Sequence, residues 1–447
     1  MDRNFFQKII KLDKAEKSGL INAIIKPISL VLTLAYTPLL LDYLGNEKYG
    51  LWATILSVIS WINYFDVGIG NGLRNVLSYD LEKKNHEHAK KAVSTAYVIL
   101  TIISSIILLV LVASCFFIDW KNVFSTNIDL RPTLIISFVS ICINFVLSLA
   151  NVILYALQLS ELVAIRGCFV QLLNFFGLLV LSKIETGNLV YLAILFGSTS
   201  IIINIVNTIQ IITKRQFLKP NISSFSKECV PEICNTGLQF FVIQIMCLLM
   251  FTVDDMLITH FFGAELVTPF SIVNRVYNTG YSFLAAFLVP YWSGTTAAIA
   301  RNEISWIKKS IIKTSKLLTV FIIGCILVAL IFEPAVKIWL RKDLDYQTGI
   351  IPLMCIFYIL YAILAVECQF INGSGRLKVQ LVMYIILGIV NVPFSILIGV
   401  SLGLKTVGIR LATTILVFIA DIVLGFNLRS TIKKLEKEAG NNKKSSN

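Results

Sequence analysis

Charge is scarce in this sequence. Only 15% of its 447 residues are Asp, Glu, Lys or Arg, against roughly 25% in an ordinary soluble domain. Histidine is scarcer, with three residues, and the pair His86 and His88 flanks Glu87 in a charged loop instead of offering metal-ligand spacing. The nine cysteines are scattered, mostly within apolar runs, and none forms a CxxC pair. They read as free, buried and inert, which leaves neither a disulfide framework nor a metal site. No stretch outside the apolar runs is long enough to bury a core of its own. That excludes a soluble enzyme domain and a nucleic-acid-binding domain. A cleavable signal peptide is not expected either, because the first apolar run is too long and lacks a small-residue cleavage pattern.

What fills the chain is apolar. Hydrophobic residues make up 56% of it and the mean hydropathy is +0.80. They fall in runs of roughly 20 or more, each able to cross a ~30 Å hydrocarbon layer as a helix. The chain is therefore expected to be an all-α membrane protein of about twelve spans. These lie at roughly 19–43, 49–78, 93–118, 132–158, 163–183, 188–213, 233–262, 266–298, 315–340, 348–372, 379–402 and 406–430. Six spans form an N-terminal lobe, 1–213, and six a C-terminal lobe, 233–430. Between them lies a linker, 214–232, marked by Pro220, Asn221 and Pro231. The tail 431–447, charged and then rich in Asn, Lys and Ser, is expected to be disordered.

The net charge is +13. Basic residues crowd the N-terminal stretch, the loops holding Lys83–Lys91, Lys214–Lys227 and Arg301–Lys316, and the C-terminal tail, while the alternate loops hold few. By the positive-inside rule both termini are expected in the cytoplasm, so the surplus does not call for a nucleic-acid partner.

Two turns nearly half a chain apart look alike. Tyr43-Leu44-Gly45-Asn46-Glu47 and Phe261-Phe262-Gly263-Ala264-Glu265 each precede an apolar helix. With six spans per half this predicts parallel repeats with a pseudo-two-fold relation about an axis along the membrane normal.

Polar residues inside spans are costly and so are candidate functional groups. Span one carries Asn22, Lys26, Ser29, Thr33 and Tyr36 on one face, with Lys26 about 10 Å in from the cytoplasmic end. Span two carries Asn63, Asp66, Gly70 and Arg74 on one face, and Gly68, Gly70 and Gly72 permit close helix packing. Span seven holds Asp254-Asp255, and span eight holds Arg275 among Ser271, Asn274 and Asn278. Two readings stay open for these two spans: a structural Asp–Arg pair that registers the helices, or a guanidinium offered to an anion crossing the membrane. In the second, Asp66, Asp254 and Asp255 balance the charge or carry protons or sodium. Glu333, Glu367, Arg410 and Asp421 lie towards span ends and read as interfacial.

The stretch Tyr43–Trp52, the stretch Asp66–Asn75, and the run from Asp254-Asp255 to Phe262-Gly263 followed by Arg275 resemble the bacterial polysaccharide flippases. These are the O-antigen (Wzx-type) flippases of the multidrug/oligosaccharidyl-lipid/polysaccharide exporter superfamily. The resemblance implies a V-shaped, MATE-like fold with a central cationic cavity in the bacterial inner membrane. It implies alternating access that carries an undecaprenyl-pyrophosphate-linked oligosaccharide from the inner to the outer leaflet, with no cofactor beyond a coupling proton or sodium ion. Membrane lipid and the polysaccharide polymerase machinery stand as candidate partners. Physical reasoning assigns the pyrophosphate and sugar to Lys26, Arg74, Arg275, Asn274, Asn278 and Tyr36, because a diphosphate cannot cross hydrocarbon uncompensated. The competing readings are a multidrug exporter of the same fold, a lipid II flippase, and a membrane glycosyltransferase or polymerase. The last rests on the DxD pattern Asp343-Leu344-Asp345.

Overall fold

A computed structural model describes residues 13–62, 67–123, 126–185, 187–340 and 346–445. Among them there are helices and turns and no strands. The helices are α1 (Lys14–Ile62), α2 (Ile69–Glu82), α3 (His86–Phe117), α4 (Arg131–Leu147), α5 (Leu149–Ala156), α6 (Ser160–Ile184) and α7 (Leu189–Lys214). Then come α8 (Cys229–Phe251), α9 (Asp254–Phe262), α10 (Ala264–Ala300), α11 (Ile304–Leu340), α12 (Ile350–Ser374), α13 (Lys378–Ile396) and α14 (Lys405–Ser445). Contacts divide the chain into two units, Met1–Phe241 and Val242–Asn447.

Eleven helical stretches among the described residues are long and apolar enough to cross a membrane. The expected second span, 49–78, includes residues 63–66, which lie outside the described residues. Their surfaces suit lipid: Leu109 and Val110 of α3 and Leu330 of α11 are 71%, 64% and 74% exposed. A soluble monomer would not present such a surface.

The two similar turns have the same backbone. α1 is broken at Gly45 (φ 71°, ψ 170°), and Gly263 (φ 91°, ψ 159°) precedes α10. Both conformations favour glycine, since a Cβ disfavours positive φ. Glycine also sets the packing of α2: a Cβ on Gly68 would lie 2.1 Å from the Gly237 carbonyl oxygen. The backbones of α2 and α8 therefore meet directly within the first unit.

Residues 214–228 are pinned to α3. The Asn221 N–H donates to Ser94 Oγ at 3.1 Å, the Ser226 N–H donates to Thr95 Oγ1 at 3.0 Å, and Leu218 is fully buried. The far end of the chain differs from expectation. Residues 431–445 continue α14 instead of forming a disordered tail. Leu435 is buried, and Glu436 and Glu438 pair with Lys308 and Arg376. These contacts give the charged segment a reason to stay helical that composition does not reveal.

Candidate functional site

In the second unit the site begins with a broken helix. α8 stops at Phe251 and α9 starts at Asp254, so Asp254 and Asp255 occupy the first turn of a new helix. There the exposed N–H groups and the helix dipole favour carboxylates. The break also frees carbonyls of α8. Those of Leu249 and Met250 accept from Asn391 Nδ2 at 3.2 and 3.3 Å. Thr413 Oγ1 then donates to Asn391 Oδ1 at 3.1 Å and to Asp254 Oδ1 at 3.4 Å.

The partner of Asp254 is Arg410 of α14. Its NH2 lies 3.3 Å from Asp254 Oδ2, close enough for an ion pair though not aligned as a hydrogen bond, and both side chains are 3% exposed. Arg410 also donates to Asn274 Oδ1 at 3.4 Å, which accepts from the Tyr358 hydroxyl at 2.8 Å. The guanidinium sits over the rings of Phe270 and Phe357, 5.0 and 4.3 Å from their centroids. Cation–π attraction of this kind strengthens as water is removed. Arg410, expected at a span end, is thus buried inside the unit with a partner, and Asp421, 8% exposed, is buried as well. Glu367 of α12 is half-buried, and its Oε2 and both Asp421 carboxylate oxygens lack hydrogen-bond partners among the described residues.

Of the anticipated residues, Asn274 therefore joins Asp254 through Arg410. Arg275 does not: it is exposed on α10, with no side-chain partner among the described residues. Asn278 is exposed, and so is Asp255, which accepts from Ser271 Oγ at 3.4 Å. Lys26 is exposed on α1. Arg74 is 6% exposed, with its guanidinium 4.8 Å from the Tyr155 ring centroid. Tyr36 packs edge-on against Phe196, and its hydroxyl is buried. Asp66 and the Asp343-Leu344-Asp345 pattern lie outside the described residues.

The first unit holds a polar interior that span-by-span reading missed. Asn207 Nδ2 donates to Asn151 Oδ1 at 2.7 Å, Asn151 Nδ2 to Asn204 Oδ1 at 3.1 Å, and Asn204 Nδ2 to Asn144 Oδ1 at 3.0 Å. Arg166 anchors this ladder by donating to Asn207 Oδ1 and Gln210 Oε1. The signal was present as Asn204 and Asn207 one turn apart on α7, facing Asn144 and Asn151 seven residues apart on α4 and α5. At the rim, beyond the apolar part of α2, Asp80 bonds His88 Nδ1 at 2.7 Å. Burial holds the Asp80 carboxyl above its usual range, and the His88 bond pulls the other way. Among the described residues no three His, Cys, Asp or Glu side chains are placed to hold a metal ion.

Comparison with known proteins assigns the class. The polysaccharide biosynthesis protein family matches residues 16–296, well over half of the chain. The chain belongs to this family. It is 22% identical over 402 residues to a Salmonella typhimurium (strain LT2) protein named for O-antigen transport, covering 86% of this chain and 90% of that one. A Yersinia pseudotuberculosis protein named for O-antigen export is 36% identical over 77 residues, 17% of each chain. The fold is shared with an outward-facing multidrug resistance MATE family transporter of the MOP superfamily, at TM-score 0.80, 15% identity, and 96% and 98% coverage of the two chains. A MOP superfamily transporter from Pyrococcus furiosus, described by the reversed polarity of its binding pocket, gives TM-score 0.76 at 15% identity with the same coverage. The protein is a multi-pass membrane transporter of polysaccharide biosynthesis and not an enzyme.

Proposed function

We propose that the protein is a flippase for undecaprenyl-pyrophosphate-linked oligosaccharide, moving it by alternating access from the inner to the outer leaflet of the bacterial inner membrane. The observation that carries this reading is Arg275. It lies eleven residues into α10, about 16 Å along the helix, exposed and without a carboxylate partner among the described residues, where Arg410 pairs with Asp254. A guanidinium at that depth calls for an anion, and a pyrophosphate satisfies it in the bidentate geometry that arginine favours. Lys26 offers a second exposed cation in the first unit. The crowding of basic residues in alternate loops supports cytoplasmic termini. Coupling to a proton or sodium gradient falls to acidic side chains. Asp421 and Glu367, with their unpartnered oxygens, join Asp255 and Asp66 as its candidates, while Asp254 is committed to Arg410.

The experiment compares Arg275→Ala and Arg275→Lys in a strain lacking the gene, at matched membrane abundance. Arg275→Ala should abolish surface polysaccharide, with lipid-linked repeat units collecting on the inner leaflet, and Arg275→Lys should restore part of it. Full restoration by Arg275→Ala would overturn the assignment. Loss of dye resistance with unchanged polysaccharide would instead make the protein a drug exporter.

A further inference from the structure

One helix of the second unit, α11 (Ile304–Leu340), sorts its residues by face. Ile307, Thr314, Cys325 and Phe332 are buried and fall on one line along it, where α11 packs on α10 and α12. Lys309 and Lys316 fall about 180° around the helix from that line, at 100° per residue. Lys313 stands between them in sequence, and all three side chains are exposed. The same outward line continues along the helix with Val320, Ile323 and Leu327, which are 65%, 54% and 55% exposed. From Lys309 to Leu327 the steps alternate between four and three, the spacing that holds residues on one helix face. The lysines and the apolar residues therefore belong to a single stripe.

The stripe changes character at a definite depth. Leu317–Phe332 carries no charged side chain and reaches about 24 Å, most of a ~30 Å hydrocarbon layer. Lys316 thus marks the hydrocarbon boundary, and Lys309 lies about 10 Å farther out, among headgroups. Nearby carboxylates do not claim these cations. Lys308, turned aside from the stripe, pairs with Glu436 of α14. Lys309 and Lys316 have no ion-pair partner among the described residues, and α11 holds no acidic residue before Glu333.

The two halves of the stripe together define what it fits. A soluble anion would meet the lysines and leave the apolar half unused. An acidic peptide or a nucleic acid has the same shortcoming. A zwitterionic lipid brings a cation of its own to the headgroup layer. An anionic phospholipid satisfies both halves, its phosphate on the lysine ammoniums and its acyl chain along Val320, Ile323 and Leu327. Lysine suits this depth because its long apolar stem lies along the chains while its head stays with the phosphates. We propose that the outward stripe of α11 is a binding site for an anionic phospholipid of the bilayer, with Lys309 and Lys316 as its headgroup contacts. The site is separate from the route of the transported molecule and does not depend on what that molecule is.

The test uses the full chain in detergent, with native mass spectrometry reading the affinity of the first lipid bound. The probes are dioleoylphosphatidylglycerol and dioleoylphosphatidylcholine. Wild type is compared with the double variant Lys309→Gln, Lys316→Gln, in which glutamine keeps a polar stem. A control of equal charge, Lys434→Gln with Lys437→Gln, alters α14 instead. Wild type should prefer phosphatidylglycerol, and the stripe variant should bind it about twentyfold more weakly, about fivefold for each lysine lost. Phosphatidylcholine binding should be unchanged, and the control should match wild type. Equal phosphatidylglycerol affinity in wild type and the stripe variant would overturn the site. An equal loss in the control would overturn it too, reducing the effect to overall charge. Displacement of phosphatidylglycerol from wild type by an equimolar sugarless prenyl pyrophosphate would give the stripe to the substrate lipid instead. A wild type that dimerises beside a monomeric stripe variant would give it to a second copy of the chain.

Discussion

The two units keep polar side chains inside an apolar shell in opposite ways. In the first, four asparagines bond in series, capped by Arg166, and leave a neutral cavity at one end. In the second, a full ion pair is held closed, with Arg410 over two phenyl rings and Asp254 at a helix start. Amides can satisfy one another with groups to spare, so they tolerate a cavity beside them. A buried ion pair has no such slack, because each charge needs its partner and a tight surround. The difference separates a region built to be lined from a region built to be shut.

The largest expected effect breaks the closed region. Arg410→Leu strands Asp254 in the interior and should destabilise the protein by roughly 3–5 kcal/mol in detergent unfolding. The double variant Asp254→Leu, Arg410→Leu should recover most of that loss. If it is no more stable than the single variant, the pair is not what holds α9 to α14. A smaller loss should follow from breaking the ladder. Asn207→Leu leaves Arg166 and Asn151 short of a partner and should cost about 1–3 kcal/mol. The same unfolding measurement should show Asn204→Leu to be non-additive with it, since both act on Asn151.

A sharper comparison concerns the two matching turns. Gly45→Ala and Gly263→Ala each force a Cβ into positive φ and should each lower stability by about 1 kcal/mol. Nothing lies within 4 Å of either added Cβ, so only backbone strain is being measured. Clearly unequal losses would count against a shared origin for the turns. The smallest effect is at the rim. Burial raises the folded-state pKa of Asp80, so its contribution to stability is full below the ordinary carboxylate range and is lost as pH rises through the raised value. Asp80→Asn should flatten the decline in melting temperature as pH rises above the ordinary carboxylate range. An unchanged slope would show that the His88 bond offsets the burial.

Some of this was legible in the residues and some was not. Gly45 and Gly263 could be matched from sequence because glycine before an apolar run is a local backbone signal. Asp254 could be flagged because a carboxylate deep in a span is anomalous wherever its partner lies. The partner could not be found the same way. Arg275 is the nearer arginine along the chain, and Arg410, near the end of its span, passed for an interfacial anchor. Thr413, which completes the Asp254 site, is 159 residues away from it. The asparagine ladder escaped for a related reason: each amide on its own helix is unremarkable, and only facing helices make them a series.

The sequence by itself determined that the chain is helical and crosses a membrane repeatedly, because hydropathy and run length act one segment at a time. Its motifs carried the family resemblance in the same local way. Tertiary structure decided which polar groups meet. Pairing of Arg410 with Asp254, the closure of the ladder and the neutral cavity beside Trp52 all depend on which helix faces which, and hydrocarbon penalises a wrong pairing without recording the right one in any single span.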